Sequence, residues 1–313
     1  MKILLVAAAT TAVSFPHFLT PAGPHAWHWL HILFQKLFYV PLLVAAAFLG
    51  VRGTLATTAC VSFIFLFHVL KDWSGDPMLR AEMIGEIISF WVIAVFSSLL
   101  FQRERRALEE TRLANEETLA ALVSSLDLRE HETALHSRRV REYTLLLARR
   151  MGIRGEKVLL SKGLGAMLHD VGKIGIRDSV LLKTDSLSEA ESMEVRRHPE
   201  LGASLIKEIR FLESAREIVL FHHERFDGSG YPEGLSGQAI PPGARIFAVA
   251  DVFDALTTAR PYRSHISYLE ANTLIAKESG THFDPAVVDA FLRIPFADWA
   301  EIASSNGATL RKG

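Results

Sequence analysis

The sequence predicts an all-α protein, and three observations predict it. Long apolar runs dominate the first 101 residues. The stretch that follows is rich in Glu, Arg, Ala and Leu and carries neither Pro nor Gly, a composition that favours uninterrupted helix. Beyond it, apolar residues recur at helical spacing between helix-start and helix-stop signatures. These shifts divide the 313 residues into a transmembrane input module (1–101), a helical connector (102–129), a helical domain (130–303) and a short polar tail (304–313) expected to fray.

Four apolar segments are drawn in the first region: Ile3–Leu19, Trp29–Gly50, Thr54–Leu70 and Ile84–Phe101. A crossing takes roughly 20 apolar residues. The second segment meets that length and the first and third lie near the lower limit, so four spans are expected, with three as the alternative. Residues 1–19 also have the outline of a signal peptide, although Pro16, His17 and Phe18 make a poor small-residue cleavage site. Arg103, Arg105 and Arg106 directly follow the last span and Arg52 lies in the turn between the second and third. By the positive-inside rule both ends are cytoplasmic.

Charge and cysteine content narrow the chemistry. Lys and Arg number 34 against 35 Asp and Glu, which makes no case for a nucleic acid polymer as partner. Cys60 is the single cysteine, so an intramolecular disulfide and a Cys-based zinc site are excluded. Any metal must be held by His and carboxylates. In the connector, Leu108, Leu119, Leu122 and Leu126 form a partial heptad seam broken by Arg112 and Asn115. It reads either as a solvated stalk or as the contact of a parallel homodimer.

The helical domain opens on the stripe Val140, Thr144, Leu147 and Met151, ended by Gly152. Extending it backward in steps of four reaches His136 and then Glu132, two polar groups on a face that should be buried. Alone, such a pair reads as a structural hydrogen bond or as shared metal coordination. The next helix, Lys162 to Val171, is apolar until His169 and Asp170, and is expected to be closed by Gly172 ahead of Lys173. Ser188 and Glu191 form a capping box on a helix leading to His198, with Pro199 starting the next. His222 and His223 end the helix of Ile218, Val219 and Phe221. Asp251 interrupts an apolar helix in which Arg245 is the one basic residue. Ser267 with Glu270 opens a further helix, and Asp284–Pro285 is expected to open the last. Of the eight histidines after residue 101, five fall in these motifs. Five imidazoles and three acids at helix ends and on buried faces point to a shared divalent-cation site.

The strings HSRRV, LHDVGKIG, HPELG, HHERFDGSGYP, IPPGARIFAVADVFDALTTARPYR and FDP, between about residues 127 and 292, resemble the HD-GYP branch of the HD superfamily of metal-dependent phosphohydrolases. The resemblance implies an all-α HD-type domain that hydrolyses cyclic di-GMP to pGpG, GMP or both, in a bacterial inner (cytoplasmic) membrane protein with the catalytic domain in the cytoplasm. It implies metal ligands at His136, His169, Asp170, His198, His222, His223 and Asp251, with Glu132 matching the extra carboxylate of members holding three ions rather than two, commonly iron or manganese. A metal-bridging water deprotonates near neutral pH, so attack on phosphorus needs no protein nucleophile. Asp170 and Lys173 are then the expected catalytic residues, Lys173 offsetting charge at a phosphate oxygen.

Arg260 and Arg263 suit the phosphates or guanine edges of the dinucleotide. Tyr231 suits stacking or hydrogen bonding to it. Gly228 and Gly230 let that turn's backbone approach the substrate, and Asp254 is read as a substrate contact or an orienting group. Alternatives kept open are a cyclic-dinucleotide receptor that docks other signalling proteins through the Gly-Tyr-Pro turn, and a hydrolase of another cyclic dinucleotide or nucleotide.

Overall fold

The computed structural model describes residues 1–19, 28–71, 77–129, 135–258 and 265–313. Among these the elements are helices, with no strand. They form two compact units, Met1–Asn115 and Glu116–Gly313, so the division falls inside the expected connector.

The first unit is built from α1 (Lys2–Leu19), α2 (His28–Leu37), α3 (Tyr39–Lys71) and the first part of α4 (Pro77–Arg129). Phe38, Leu42, Val61, Phe65 and Phe90 form its interior. Its exterior is equally apolar: Phe63 is 71% exposed and Phe96 68%. A surface of that kind is favourable only against apolar surroundings. Among the described residues three helical stretches are long and apolar enough to cross a membrane, Lys2–Leu19, Ile32–Phe67 and Ala81–Leu126. The difference from the four expected segments lies in α3, whose 33 residues run through Gly50 at φ 69° and ψ −172°. At 1.5 Å per residue a straight helix of that length would span about 50 Å against a core of about 30 Å. The break at Gly50 separates the expected second and third segments.

In the second unit α4 ends at Arg129, and α5 (His136–Arg150), α6 (Glu156–Met167), a 3₁₀ turn (Val171–Gly175), α7 (Asp178–Leu181), α8 (Glu189–Val195), α9 (His198–Leu205), α10 (Arg216–Phe221), α11 (Pro242–Thr257), α12 (Tyr268–Lys277), α13 (Pro285–Leu292) and α14 (Phe296–Ser305) follow. The apolar stripe of α5 packs on α11 in a core centred on Phe253, whose ring lies 5.3 Å from Tyr143, 5.2 Å from Phe291 and 4.8 Å from Trp299. A second core joins Val123 of α4 to Leu164, Met167 and Leu168 of the α6 region and to Val219 of α10. Capping boxes at Ser188–Glu191 and Ser267–Glu270 are both formed.

Four expectations are corrected. The helix expected over Lys162 to Val171 runs from Glu156 to Met167, and Gly172 lies in the 3₁₀ turn beyond it rather than at its cap. The helix opened by Asp284 and Pro285 is followed by another, α14. The tail is docked rather than frayed: Arg311 and Lys312 carbonyls accept from the N–H groups of Tyr268 and Leu269, at 2.7 and 3.2 Å, and Leu310 packs on the core. These are first-turn donors of α12, which have no partner inside their own helix. Finally, the leucine seam of the connector does not share one face. Leu126 is buried and Leu119 packs into the second core, whereas Leu108 and Leu122 stay 64% and 60% exposed.

Candidate metal centre

The ends of α6 and α10, the starts of α5 and α9 and the middle of α11 bring the candidate ligands together. His136, His169 and Asp251 form one group and His198, His222 and His223 another, with the ligand atoms in each lying within 4.8 Å of one another. Asp170 stands between the groups. Its Oδ2 lies 3.0 Å from His169 Nε2, while its Oδ1 lies 3.2 Å from His198 Nε2 and 3.9 Å from His222 Nε2. His136 Nε2 lies 3.4 Å from Asp251 Oδ1. The half-buried Asp251 thus faces the site without help from Arg245, which pairs with the Asp284 cap. The rings of His169 and His222 rest on Phe247, at 4.8 and 5.8 Å, an apolar floor that keeps water from their undersides.

Local backbone sets which imidazole nitrogen faces the cluster. His169, His198 and His222 each place Nδ1 2.8–2.9 Å from the carbonyl three residues earlier, of Ala166, Val195 and Val219. A carbonyl can only accept, so Nδ1 carries the proton and the Nε2 lone pair is free to bind a cation. Where a helix ends, its last carbonyls lack helical partners, and a histidine at that end supplies one. At the start of α5, His136 Nδ1 lies 2.7 Å from Asp254 Oδ2. Asp254 is itself buried and accepts from Arg139 at 2.6 and 3.0 Å. Both of its oxygens are thus engaged by His136 and Arg139.

The donor chemistry fits a divalent cation. Both Nδ1 protons of His198 and His222 are committed to carbonyls, yet their Nε2 atoms lie 3.1 Å apart. Two lone pairs at that distance repel unless something positive lies between them. A proton is disfavoured there: burial, then the neighbouring His223, holds His222 well below the ordinary imidazole range. His223 is pushed down to about 3, first by burial and then by His198. The other group attracts positive charge. Burial opposes the His169 imidazolium, but Asp170 and then Asp251 outweigh it and push the pKa up to about 9. Asp170 is held well below the usual carboxylate range, because His169 and Lys173 outweigh the effect of burial. Lys173 Nζ lies 2.9 Å from Asp170 Oδ2. Glu132, Arg260 and Arg263 lie outside the described residues.

The family model described as HD domain matches residues 103–287, more than half of the chain. This chain belongs to the HD domain family. Its HD region is 43% identical over 196 residues to the cyclic di-GMP phosphodiesterase response regulator RpfG of Xanthomonas campestris pv. campestris, covering 62% of this chain and 52% of that protein. A cyclic di-GMP phosphodiesterase of Vibrio cholerae is 37% identical over 216 residues, covering 64% and 44%. The 3'3'-cGAMP-specific phosphodiesterase 2 of the same organism is 35% identical over 185 residues, covering 58% and 35%. The chain thus spans about half or less of the length of these relatives.

Beside the metal groups, the HD domain places the turn that follows His223. Tyr231 stacks on the His223 ring, with centroids 4.7 Å apart and planes 24° from parallel, and the Arg196 guanidinium lies 5.3 Å from the Tyr231 centroid. Gly230 approaches protein backbone rather than open space: a Cβ there would stand 2.4 Å from Arg225 N and 2.5 Å from His223 O.

Sequence reasoning missed Arg139 and Glu224. Each is a charge inside a motif string, HSRRV and HHERFDGSGYP; Glu224 has no basic residue at helical spacing, whereas Arg139 has Glu142 three residues on, which masked the signal. Glu224 is buried, and its carboxylate accepts from the N–H groups of Glu233 and Leu235 at 2.8 and 3.0 Å. It ties down the segment that carries Tyr231. Since hydrogen bonds to charged groups contribute about 1.5–3 kcal/mol, Glu224→Gln is expected to lower stability by about 1–3 kcal/mol. Proteolysis near residues 228–235 should accelerate. Thermal unfolding and limited digestion of the full chain measure both.

Proposed function

We propose that this chain is a membrane-anchored, metal-dependent phosphodiesterase that hydrolyses cyclic di-GMP to pGpG, GMP or both. One observation carries the reading: two groups of three His or Asp donors flank a carboxylate, Asp170, that faces both. In this reading His136, His169, Asp251 and Asp170 hold one ion, and His198, His222, His223 and Asp170 a second. Glu132 adds a donor for a third. Iron or manganese suits this mixture of imidazole and carboxylate. When bound, such ions supply Lewis-acid polarisation of the phosphodiester and a hydroxide nucleophile near neutral pH.

The protein's own groups do the rest. Asp170 joins the two halves of the site at one carboxylate. Lys173, 2.9 Å from it, contacts a non-bridging phosphate oxygen and offsets charge that grows during attack. Asp254 holds the His136 ring in the tautomer that presents Nε2. The Tyr231 ring lies between His223 and the Arg196 guanidinium, and its hydroxyl hydrogen-bonds to the ligand. Arg260 and Arg263 pair with the second phosphate or a guanine edge.

The apolar first unit anchors the enzyme by four crossings of the inner (cytoplasmic) membrane, with the break at Gly50 turning the second into the third, and the catalytic domain lies in the cytoplasm. The exposed Leu108 and Leu122 give the connector its homodimer contact. The test is direct. Full-length protein in detergent, loaded anaerobically with Fe(II) or Mn(II), is incubated with cyclic di-GMP and the products are separated. Release of pGpG or GMP supports the reading; binding without either product leaves a receptor. Because one relative is named as specific for 3'3'-cGAMP, the same preparation is assayed on that dinucleotide, and faster turnover of it would reassign the substrate.

A further inference from the structure

We infer that Arg129, the last residue of α4, is a positioning residue for Lys173, through which the connector helix sets turnover. The inference rests on the phosphodiesterase reading above. Its geometry stands independently. Arg129 Nη1 donates to the Lys173 carbonyl at 3.2 Å, Nη2 to the Ile176 carbonyl at 2.8 Å, and Nε to Asp178 Oδ1 at 2.8 Å. One guanidinium therefore grips the middle of the 3₁₀ turn Val171–Gly175, the residue just after it, and the start of α7.

That turn follows Asp170 directly, and Val171 at its start packs in the second core. Five residues of 3₁₀ helix carry few internal bonds; among them are Lys173 N–H to Asp170 O at 2.9 Å and Ile176 N–H to Lys173 O at 3.0 Å. Gly172 seats one side of it against the start of α9. Arg129 supplies the opposite hold. The choice of residue matters: a planar guanidinium offers five donors in a fixed fork, whereas an ammonium is a point charge on a flexible stem. Arginine can satisfy two carbonyls and a carboxylate at once.

The same end of α4 is packed on the elements that present the ligands. Val123 lies in the core with Met167 and Leu168, which immediately precede His169, and with Val219, whose carbonyl orients His222. A shift or rotation of α4 by about 1 Å would stretch the Arg129 contacts beyond hydrogen-bonding distance. The Lys173 ammonium would then lose its fixed place beside Asp170. Misplacement of that order can cost up to about 10²-fold in rate.

The experiment uses the full chain, loaded with Mn(II), as Arg129→Ala, Arg129→Lys, Lys173→Ala and the double variant Arg129→Ala/Lys173→Ala. Arg129→Ala and Arg129→Lys are each expected to lower kcat by about tenfold, with metal content unchanged and KM little altered. Added guanidinium should restore part of the loss in Arg129→Ala. With Lys173 already removed, losing Arg129 should lower kcat no further, because the two act through one group. Amide hydrogen exchange over residues 171–176 should speed up in both Arg129 variants. Asp178→Ala removes the outer brace alone, and a smaller change of the same kind is expected there, which keeps the test open if Arg129→Ala folds poorly.

An equal fall in kcat in the Lys173→Ala background would make Arg129 a general structural residue and overturn the inference. So would unchanged exchange over 171–176. If the wild-type chain hydrolyses no cyclic dinucleotide, the functional reading fails, and the exchange measurement still decides whether Arg129 holds the turn.

Discussion

Replacing His169 and Asp170 together by alanine is expected to reduce cyclic di-GMP turnover by more than about a hundredfold and to strip metal from the protein. The estimate is a lower bound. Losing a group that merely orients a ligand costs about 10–100-fold in metal affinity or activity, and on the proposed reading these two residues are ligands themselves. Asp170 Oδ2 lies 3.0 Å from His169 Nε2 and its Oδ1 lies 3.2 Å from His198 Nε2, so its removal disconnects the two donor groups. It also removes the carboxylate 2.9 Å from Lys173 Nζ. Metal content by elemental analysis and nucleotide binding by calorimetry should be measured beside turnover. A variant that keeps its full metal complement and its rate would sink the two-group site. A wild-type chain that binds the dinucleotide without cleaving it would leave a metal-holding receptor.

Gly172→Ala is expected to destabilise the second unit by more than about 3 kcal/mol, at the upper end of what overpacking costs. A Cβ at this position would stand 1.9 Å from the His198 carbonyl oxygen and 2.4 Å from Gly202 N. Both are backbone atoms of α9 or its first residue, so no rotamer change relieves the clash and α9 must move. His198 would then leave Asp170, and metal affinity should fall together with the melting temperature. Gly175→Ala is the control. There the nearest atom is a leucine methyl carbon, Leu201 Cδ1 at 3.0 Å, which can rotate away. Thermal unfolding of the two variants side by side should separate them by at least about 2 kcal/mol, and equal stability would refute the close-approach account.

The two glycines look alike in the string LHDVGKIG. Only the position of α9, set by packing against α10 and the turn, makes one of them indispensable. The same division runs through the rest of the site. The candidate donors His136, His169, Asp170, His198, His222, His223 and Asp251 drew attention as a series of polar residues on apolar faces and at helix ends, each ambiguous alone, and the resemblance implied their role. Their grouping was not legible, since residues on different helices, such as His136 and His169 or His198 and His222, meet only through helix packing. Asp254 illustrates the limit: spacing put it one turn from Asp251, but its pairing with His136 and Arg139 depends on how α5 crosses α11.

What the sequence determined by itself was local: helical periodicity, the capping boxes at Ser188 and Ser267, the cap at Asp284, the apolar lengths of the first unit, and the inventory of imidazoles and carboxylates. Each depends on interactions within a turn or two of the chain, where residue identity and spacing are sufficient. The tertiary structure alone decided which donors share a position, which face of the connector helix is buried, that the tail docks on α12, and that the Arg129 fork reaches the turn carrying Lys173. These are contacts between segments distant in sequence. Their geometry follows from how side chains of many helices fill a common interior, and no single segment encodes it.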